Sequence, residues 1–519
     1  MSIRHFNLDD DTVVVVIGSG AGGGTLANEL AQKGIDVVCL EAGSRIDLSD
    51  IVNDEAKMFP KVTWLDQRTG NGDVIPSFPA WTCKTVGGTT FHWTGVCPRF
   101  QDYELKPAST YGTMPGTNYI DWPLTYEELL PFYEKAEQKM GVTGRNGRPK
   151  LPANNNCKVM IAGAQKLGYT SVSTGHHAIN SVEFDNRPSC QQTGFCLSGC
   201  VYGAKWSTLY TEIPKAEETG HFELRPQSMA VRITHDKEGK VNGVDYLDST
   251  GILKHQKARI VSVAANAIET ARILLNSSTE KYPSGLGNGN DLVGRHYMRQ
   301  FTNMVMSVMP GPVNFHRGTV VGGLISDEAR HDPSRGFSSG YLIMPVALSP
   351  ESLTVNAFPG LWGKDLADAL SNYTNFAGLL MLGEDPPELT NRITLHKDQK
   401  DHHGLPVPHI HYKEHDNTKA MRKHAMQRGI DLHSAVGALN SYEIWNVPAG
   451  HNLGTARMSG SPKTGVCDKW GSVFGHENLF ISDGSSFCSS AAENPTLTIV
   501  SLAIRQAEYI ARNIKTGTL

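Results

Sequence analysis

Thr12-Val13-Val14-Val15-Val16-Ile17-Gly18-Ser19-Gly20-Ala21-Gly22-Gly23 opens as a strand and runs straight into Thr25-Leu26-Ala27-Asn28-Glu29-Leu30-Ala31, which has a helical pattern. The β-branched run reads as a buried parallel strand. After Gly34 a second strand spans Ile35 to Leu40 and ends at the acidic Glu41, followed by Ala42-Gly43. Gly18 makes the tight turn, Gly20 lets backbone approach a pyrophosphate, and Gly23 lets helix and strand pack closely. The phosphate charge then meets unpaired N–H groups at a helix N-terminus, and Glu41 stands where a carboxylate accepts from ribose hydroxyls. A glycine fingerprint alone is weak. Strand, glycines, helix, strand and acid in that order predict a dinucleotide site, and the Glu-Ala-Gly context favours FAD over a nicotinamide.

Downstream, Thr85-Val86-Gly87-Gly88-Thr89-Thr90-Phe91-His92-Trp93-Thr94-Gly95 pairs two glycines with aromatic and small polar residues. Glycines let a backbone lie against a flat ring without interference from Cβ. A further strand and helix are expected over Arg259–Ala265 and Asn266–Leu275. From about residue 300 to 445 the pattern changes to strands such as Met304–Val308 and Asn391–Leu395, mixed with loops and one helical stretch near Thr418–Val436. This predicts an antiparallel sheet inserted into a nucleotide-binding domain that resumes afterwards.

The last block holds His451-Asn452-Leu453-Gly454-Thr455, then Asn478–Ile481 as a strand into Ser482-Asp483-Gly484-Ser485, then Asn494-Pro495-Thr496-Leu497-Thr498 opening a long helix that ends near Asn513. Asn494 fits a helix N-cap and Pro495 the first helical position.

These motifs together resemble the glucose–methanol–choline (GMC) family of flavoprotein oxidoreductases. The His-x-x-Gly-Thr and Asn-Pro-Thr-x-Thr segments are similar to those of pyranose oxidases and of the flavin subunits of glucose, fructose and gluconate dehydrogenases. The resemblance spans the whole chain. It implies an α/β architecture: a Rossmann-type FAD-binding domain (1–99, 185–300 and 446–519) and an inserted antiparallel-sheet substrate-binding domain (100–184 and 301–445). It implies FAD as cofactor, with Gly18, Gly20, Gly23, Glu41, Gly88, His92, Thr94, Asp483, Asn494 and Thr496 at its binding site. His451 and Asn494 become the catalytic pair. His92 matches the position where pyranose oxidases attach histidine covalently to flavin; a non-covalent contact or a core histidine are the other readings.

Elementary chemistry agrees with the pair. Hydride loss from a carbinol carbon requires the hydroxyl proton to leave, and a neutral imidazole can take it. An asparagine can hold the same oxygen in place. With 20 histidines in the chain, only its neighbours single out His451. The expected reaction is oxidation of a sugar, sugar derivative or polyol hydroxyl to a carbonyl. A non-sugar aromatic or aliphatic alcohol is the alternative, and an FAD-containing lyase a more distant one. The electron acceptor stays open between dioxygen and a small subunit, cytochrome or quinone. Trp362, His316, Glu384, His409 and His411 have side chains able to grip a substrate's hydroxyls or equally to serve the fold.

Nine cysteines in odd number and uneven spacing argue against a disulfide framework. Cys190, Cys196 and Cys200 are similar to the three-iron-cluster cysteines of membrane-linked sugar dehydrogenases, but Val201-Tyr202-Gly203-Ala204-Lys205 resembles relatives without a cluster; no metal is assigned. A net charge of -4 and 19% charged residues point to no nucleic-acid partner. No apolar run reaches the roughly 20 residues that span a bilayer. The acidic, polar Met1–Asp11 does not resemble a secretory signal, so the expected location is cytoplasmic, or periplasmic only if a partner subunit carries the chain there.

Overall fold

The computed structural model describes residues 4–75 and 78–519. The valine run forms the strand Val14–Ile17, fully buried. It pairs in parallel with Val37–Leu40 on one side and with Ile260–Val263 on the other. Phe222–Arg225 extends one edge and His476–Ile481 the other, both parallel; Ser472–Val473 closes the sheet antiparallel. Residues from three distant stretches of chain therefore make one six-stranded sheet. Its strands read as continuous apolar runs because both faces are covered. The helices Ala21–Ala31 and Thr496–Thr516 pack against each other beside it.

A second six-stranded sheet is antiparallel, in the order Asn440–Ile444, Phe301–Val308, Phe376–Gly383, Tyr341–Pro345, Leu324–Ile325 and Val172–Ser173. The helices Asp416–Ala435 and Asn155–Lys166 pack against it. Residues 300–445 hold two further short helices, Pro350–Ala357 and Gly363–Ser371, where loops were expected. Helices of two turns carry little periodicity, though Ser349 does cap the first with its side chain.

The two sheets are stitched together. Thr69–Gly72, from the N-terminal part, pairs in parallel with Pro406–Tyr412, which is antiparallel to Arg392–Lys400. The helix Tyr126–Met140 starts in a Thr125/Glu128 capping box, ends at a left-handed Gly141, and packs on Thr496–Thr516 through a Tyr133–Thr498 hydrogen bond. Among the described residues no helix is long and apolar enough to cross a membrane.

The C-terminal helix begins at Thr496, with Pro495 at its N-cap and no side chain capping it. Asn494 is thus not the N-cap. Pro495 sits one position earlier than expected relative to the helix, and its fixed φ lets it serve as the entry residue.

Candidate active site

The first glycine loop, the second glycine loop and the C-terminal block converge on one cleft. Its wall includes Gly18, Gly20, Glu41, Gly88, His451, Asp483 and Thr496. Gly23, His92, Thr94 and Asn494 are not among the residues that line it.

The glycines divide by what a side chain would strike. A Cβ on Gly22 would lie 1.7 Å from the Ser482 carbonyl oxygen, and one on Gly23 2.0 Å from the Gly18 oxygen, so both serve packing of the fold. A Cβ on Gly20 would meet nothing closer than Gly88 Cα at 3.8 Å. The absent side chain at Gly20 instead leaves room in the cleft, as close approach of a diphosphate requires.

Glu41 accepts from the Ser19 N–H at 3.0 Å, the Ser19 hydroxyl at 2.7 Å and the Gly43 N–H at 2.8 Å. Burial nevertheless pushes its carboxyl above the usual range, offset by those bonds. Ser19 Oγ also accepts from the Gly87 N–H, tying the two glycine loops together. Asp483 accepts from Thr270 Oγ1 at 2.6 Å and from the Ser485 N–H at 2.8 Å, so it braces the turn lining the cleft.

Of the predicted pair, His451 alone lines the cleft. Burial pushes its imidazole down to about 4, which leaves it neutral at ordinary pH. Asn494 is 7% exposed, and its Oδ1 has no hydrogen-bond partner. A buried amide oxygen left unpaired costs stability, and among the described residues no protein group pairs with this one.

His92 stacks on Trp81 with ring centroids 4.4 Å apart, and its Nδ1 pairs with Cys83 Sγ. Burial, with Lys205 secondary, pushes the imidazole down to about 3. Cys83 lines the cleft and His92 does not. Thr94 is half-buried and off the wall.

Cys190, Cys196 and Cys200 border one small pocket together with Lys205. Burial pushes the Cys190 thiol up to about 12 and raises Cys196, so both are held protonated. Lys205 Nζ donates to the carbonyls of Phe91, Trp93 and Cys196. Among the described residues no three His, Cys, Asp or Glu side chains are set to hold a metal ion.

The residues noted for substrate gripping lie elsewhere. Trp362 is 83% exposed. His316 stacks on Tyr373, Glu384 is buried under Tyr111 and Tyr119, His409 bonds Thr69, and His411 bonds Asn71. None lines the cleft, because residue type alone does not say where the fold carries a side chain.

Sequence reasoning missed Gln300, Ser19, Cys83 and the buried Arg68–Glu269–Arg272 group at the cleft's rim. Only the Ser19 position carried a local signal, inside the glycine fingerprint.

Comparison with known proteins settles the family. The GMC oxidoreductase models match residues 77–298 and 387–503.

The chain belongs to the GMC oxidoreductase family.

A 2-methyl-1,2-propanediol dehydrogenase of Mycolicibacterium austroafricanum is 32% identical, covering 97% of this chain and 96% of that protein. A fructose dehydrogenase large subunit of Gluconobacter japonicus is 29% identical, covering 97% and 98%. Pyridoxine 4-oxidase from Mesorbium loti shares the fold, with a TM-score of 0.67 at 16% identity over 97% of this chain and 99% of that one. This GMC oxidoreductase is accordingly an FAD-dependent enzyme acting on hydroxyl groups. The open cradle at Gly20 and the neutral imidazole on the wall of the same cleft fit that cofactor.

Proposed function

We propose that this GMC oxidoreductase oxidises a hydroxyl of a sugar, sugar derivative or polyol to a carbonyl, with His451 as the base and Asn494 holding the same oxygen. The observation that carries this reading is a neutral His451 on the wall of the cleft, tied through Gln300 to the backbone of the 490–493 segment that leads into Asn494, whose Oδ1 has no partner among the described residues. The substrate class is supported by relatives named for a propanediol, for fructose and for paromamine.

FAD, when bound, supplies the hydride acceptor. Gly18, Gly20, Glu41, Gly88, Asp483 and Thr496 would hold it. The protein's own part is geometric and electrostatic. His451 receives the hydroxyl proton, so that charge does not build on the carbinol carbon as the C–H bond breaks. Asn494 limits the orientations open to that oxygen. His92 carries over from the family resemblance as the candidate site of a covalent flavin link, with a non-covalent contact or a core histidine as the alternatives. Cys83 occupies its Nδ1 and Trp81 fixes its plane, and among the described residues Nε2 has no partner, which supports the covalent reading.

The test is anaerobic mixing of the purified enzyme with sugars, polyols and simple alcohols while flavin absorbance is followed. Bleaching by polyols or sugars is the expected result. Bleaching by aliphatic or aromatic alcohols alone would move the substrate class. His451→Ala should keep its flavin and be reduced roughly a hundredfold more slowly, the scale of a lost general base; a wild-type rate would remove His451 from the role. Rapid reoxidation in air would identify dioxygen as acceptor. Two relatives are named as a large subunit and a flavoprotein of dehydrogenases, which supports a small subunit, cytochrome or quinone instead.

A further inference from the structure

Gln300 stands 151 positions before His451 and beside it in space. The backbone explains the meeting. Met298 and Leu453 exchange N–H···O bonds of 3.0 and 2.9 Å, so the segment before the strand Phe301–Val308 pairs with the segment after His451. Gln300 is 1% exposed, with φ at +49°. Ala491, on the loop it touches, has φ at +57°. Non-glycine residues held in left-handed backbone persist where surrounding contacts over-determine them, and such places cluster at functional sites.

The contacts of Gln300 leave one solution for its amide. Nε2 lies 2.9 Å from the Ser490 oxygen, 2.7 Å from the Ala491 oxygen and 3.0 Å from the Glu493 oxygen. All three are backbone carbonyls, which only accept. An amide turned the other way would set its oxygen against three oxygens, so the NH2 group must face them. The amide oxygen then faces His451 Nδ1 at 2.6 Å. An oxygen acceptor at that distance requires a hydrogen on Nδ1. In the neutral ring, Nε2 is therefore the nitrogen with the free lone pair.

We infer that Gln300 is a positioning residue that fixes the tautomer of His451, leaving Nε2 as the proton acceptor, and through the same amide holds the 490–493 loop that carries Asn494. Gln300 touches no reacting atom; it sets both partners of the pair from behind. This rests on His451 being the base. Other ionisable groups on the surrounding segments are engaged elsewhere. Tyr297 donates to Asn452, and Arg299 lies over the Tyr412 ring and reaches the Asp73 carbonyl. Glu493 pairs with Glu104, and Asp483 bonds Thr270 and Ser485. Burial is the sole cause of the low imidazole value. Among the described residues no charged group would choose between the ring nitrogens in place of Gln300.

The first measurement is ¹⁵N NMR of histidine-labelled holoenzyme, with His451→Ala as the reference that identifies the His451 signals. The expected spectrum shows a protonated Nδ1 and an unprotonated Nε2. The reverse assignment overturns the inference without need of any Gln300 variant. The second is Gln300→Met beside Gln300→Glu. Gln300→Met should retain flavin and substrate affinity, show a mixed His451 tautomer, and lose roughly ten- to a hundredfold in the rate of flavin reduction. Gln300→Glu keeps an oxygen towards Nδ1 and, when protonated, a donor for the loop; it should recover most of that rate below neutral pH and lose it as its carboxyl ionises. A wild-type rate and flat pH profile in Gln300→Met overturns the inference. If His451→Ala itself reduces normally, the base assignment fails instead, and the tautomer result distinguishes the two failures.

Discussion

Arg272 Nη2 lies 2.6 Å from Asp401 Oδ2, with the two side chains 3% and 1% exposed. Arg272 Nη1 is also 3.3 Å from Glu269 Oε2, and Glu269 Oε1 is 2.8 Å from Arg68 Nη2. Four buried charges of alternating sign thus fasten the turn between Arg392–Lys400 and Pro406–Tyr412 onto the helix Asn266–Asn276. Glu269, Arg272 and Leu405 border the cofactor cleft at this end.

Removing one member of such a set leaves its partner charged and unpaired, which costs about 3–5 kcal/mol. Asp401→Ala should lower the thermal midpoint of the holoenzyme by several degrees and speed loss of any non-covalently held flavin. The double variant Arg272→Met/Asp401→Leu should recover most of the midpoint, because no orphan charge remains. Differential scanning calorimetry of the two variants checks this; equal destabilisation in both would mean that packing, not charge, holds the turn.

The glycine fingerprint separates fold from cofactor binding. Gly20→Ala should yield folded protein with little or no flavin, since its Cβ enters the cleft and meets no close protein atom. Gly22→Ala should not fold, since its Cβ would lie 1.7 Å from the Ser482 oxygen. Circular dichroism and flavin absorbance on both variants distinguish the outcomes. A Gly20→Ala protein with full flavin content would contradict the assigned approach.

Covalent attachment through His92 predicts that flavin stays with acid-precipitated wild-type protein and leaves acid-precipitated His92→Ala. Flavin in the supernatant of both would show that His92 makes no bond to it.

Glu384 supplies a pH signature. Burial first, then the nearby Glu104, raises its carboxyl to about 8, well above the ordinary 4.5. The folded state then holds a proton that the unfolded chain releases across that interval. Its contribution to stability is complete below about pH 4.5 and is lost as pH rises towards 8, at about 1.4 kcal/mol per pH unit. Glu384→Gln cannot ionise. Its thermal midpoint relative to wild type should therefore climb between pH 5 and 8; a constant difference across that range would disprove the raised carboxyl.

Much of the fold was legible because its signals are local. The valine run, the glycines and Glu41 lie within 30 residues, and Ser19 and Glu41 meet directly. The strand Phe301–Val308 and the helix Asp416–Ala435 also declared themselves through length and periodicity. The short helices of 350–371 did not. The start of the last helix was misplaced because Asn-Pro reads equally well as cap and first turn, and only packing decides between them.

The site divides the same way. His451 and Asn494 could be named from sequence because their residue types sit in specific company, and Glu41 because it ends a predicted strand. The amino-acid order by itself determined the dinucleotide-binding unit and the antiparallel sheet, and it proposes the pair. The tertiary structure alone decided that Asn494 leaves its oxygen unpaired, that Glu384 and Trp362 stand away from the cleft, and that Gln300 selects a nitrogen of His451. The reason is physical: periodicity reports what a segment buries, whereas a hydrogen bond across 151 residues exists only once separate segments have closed into register.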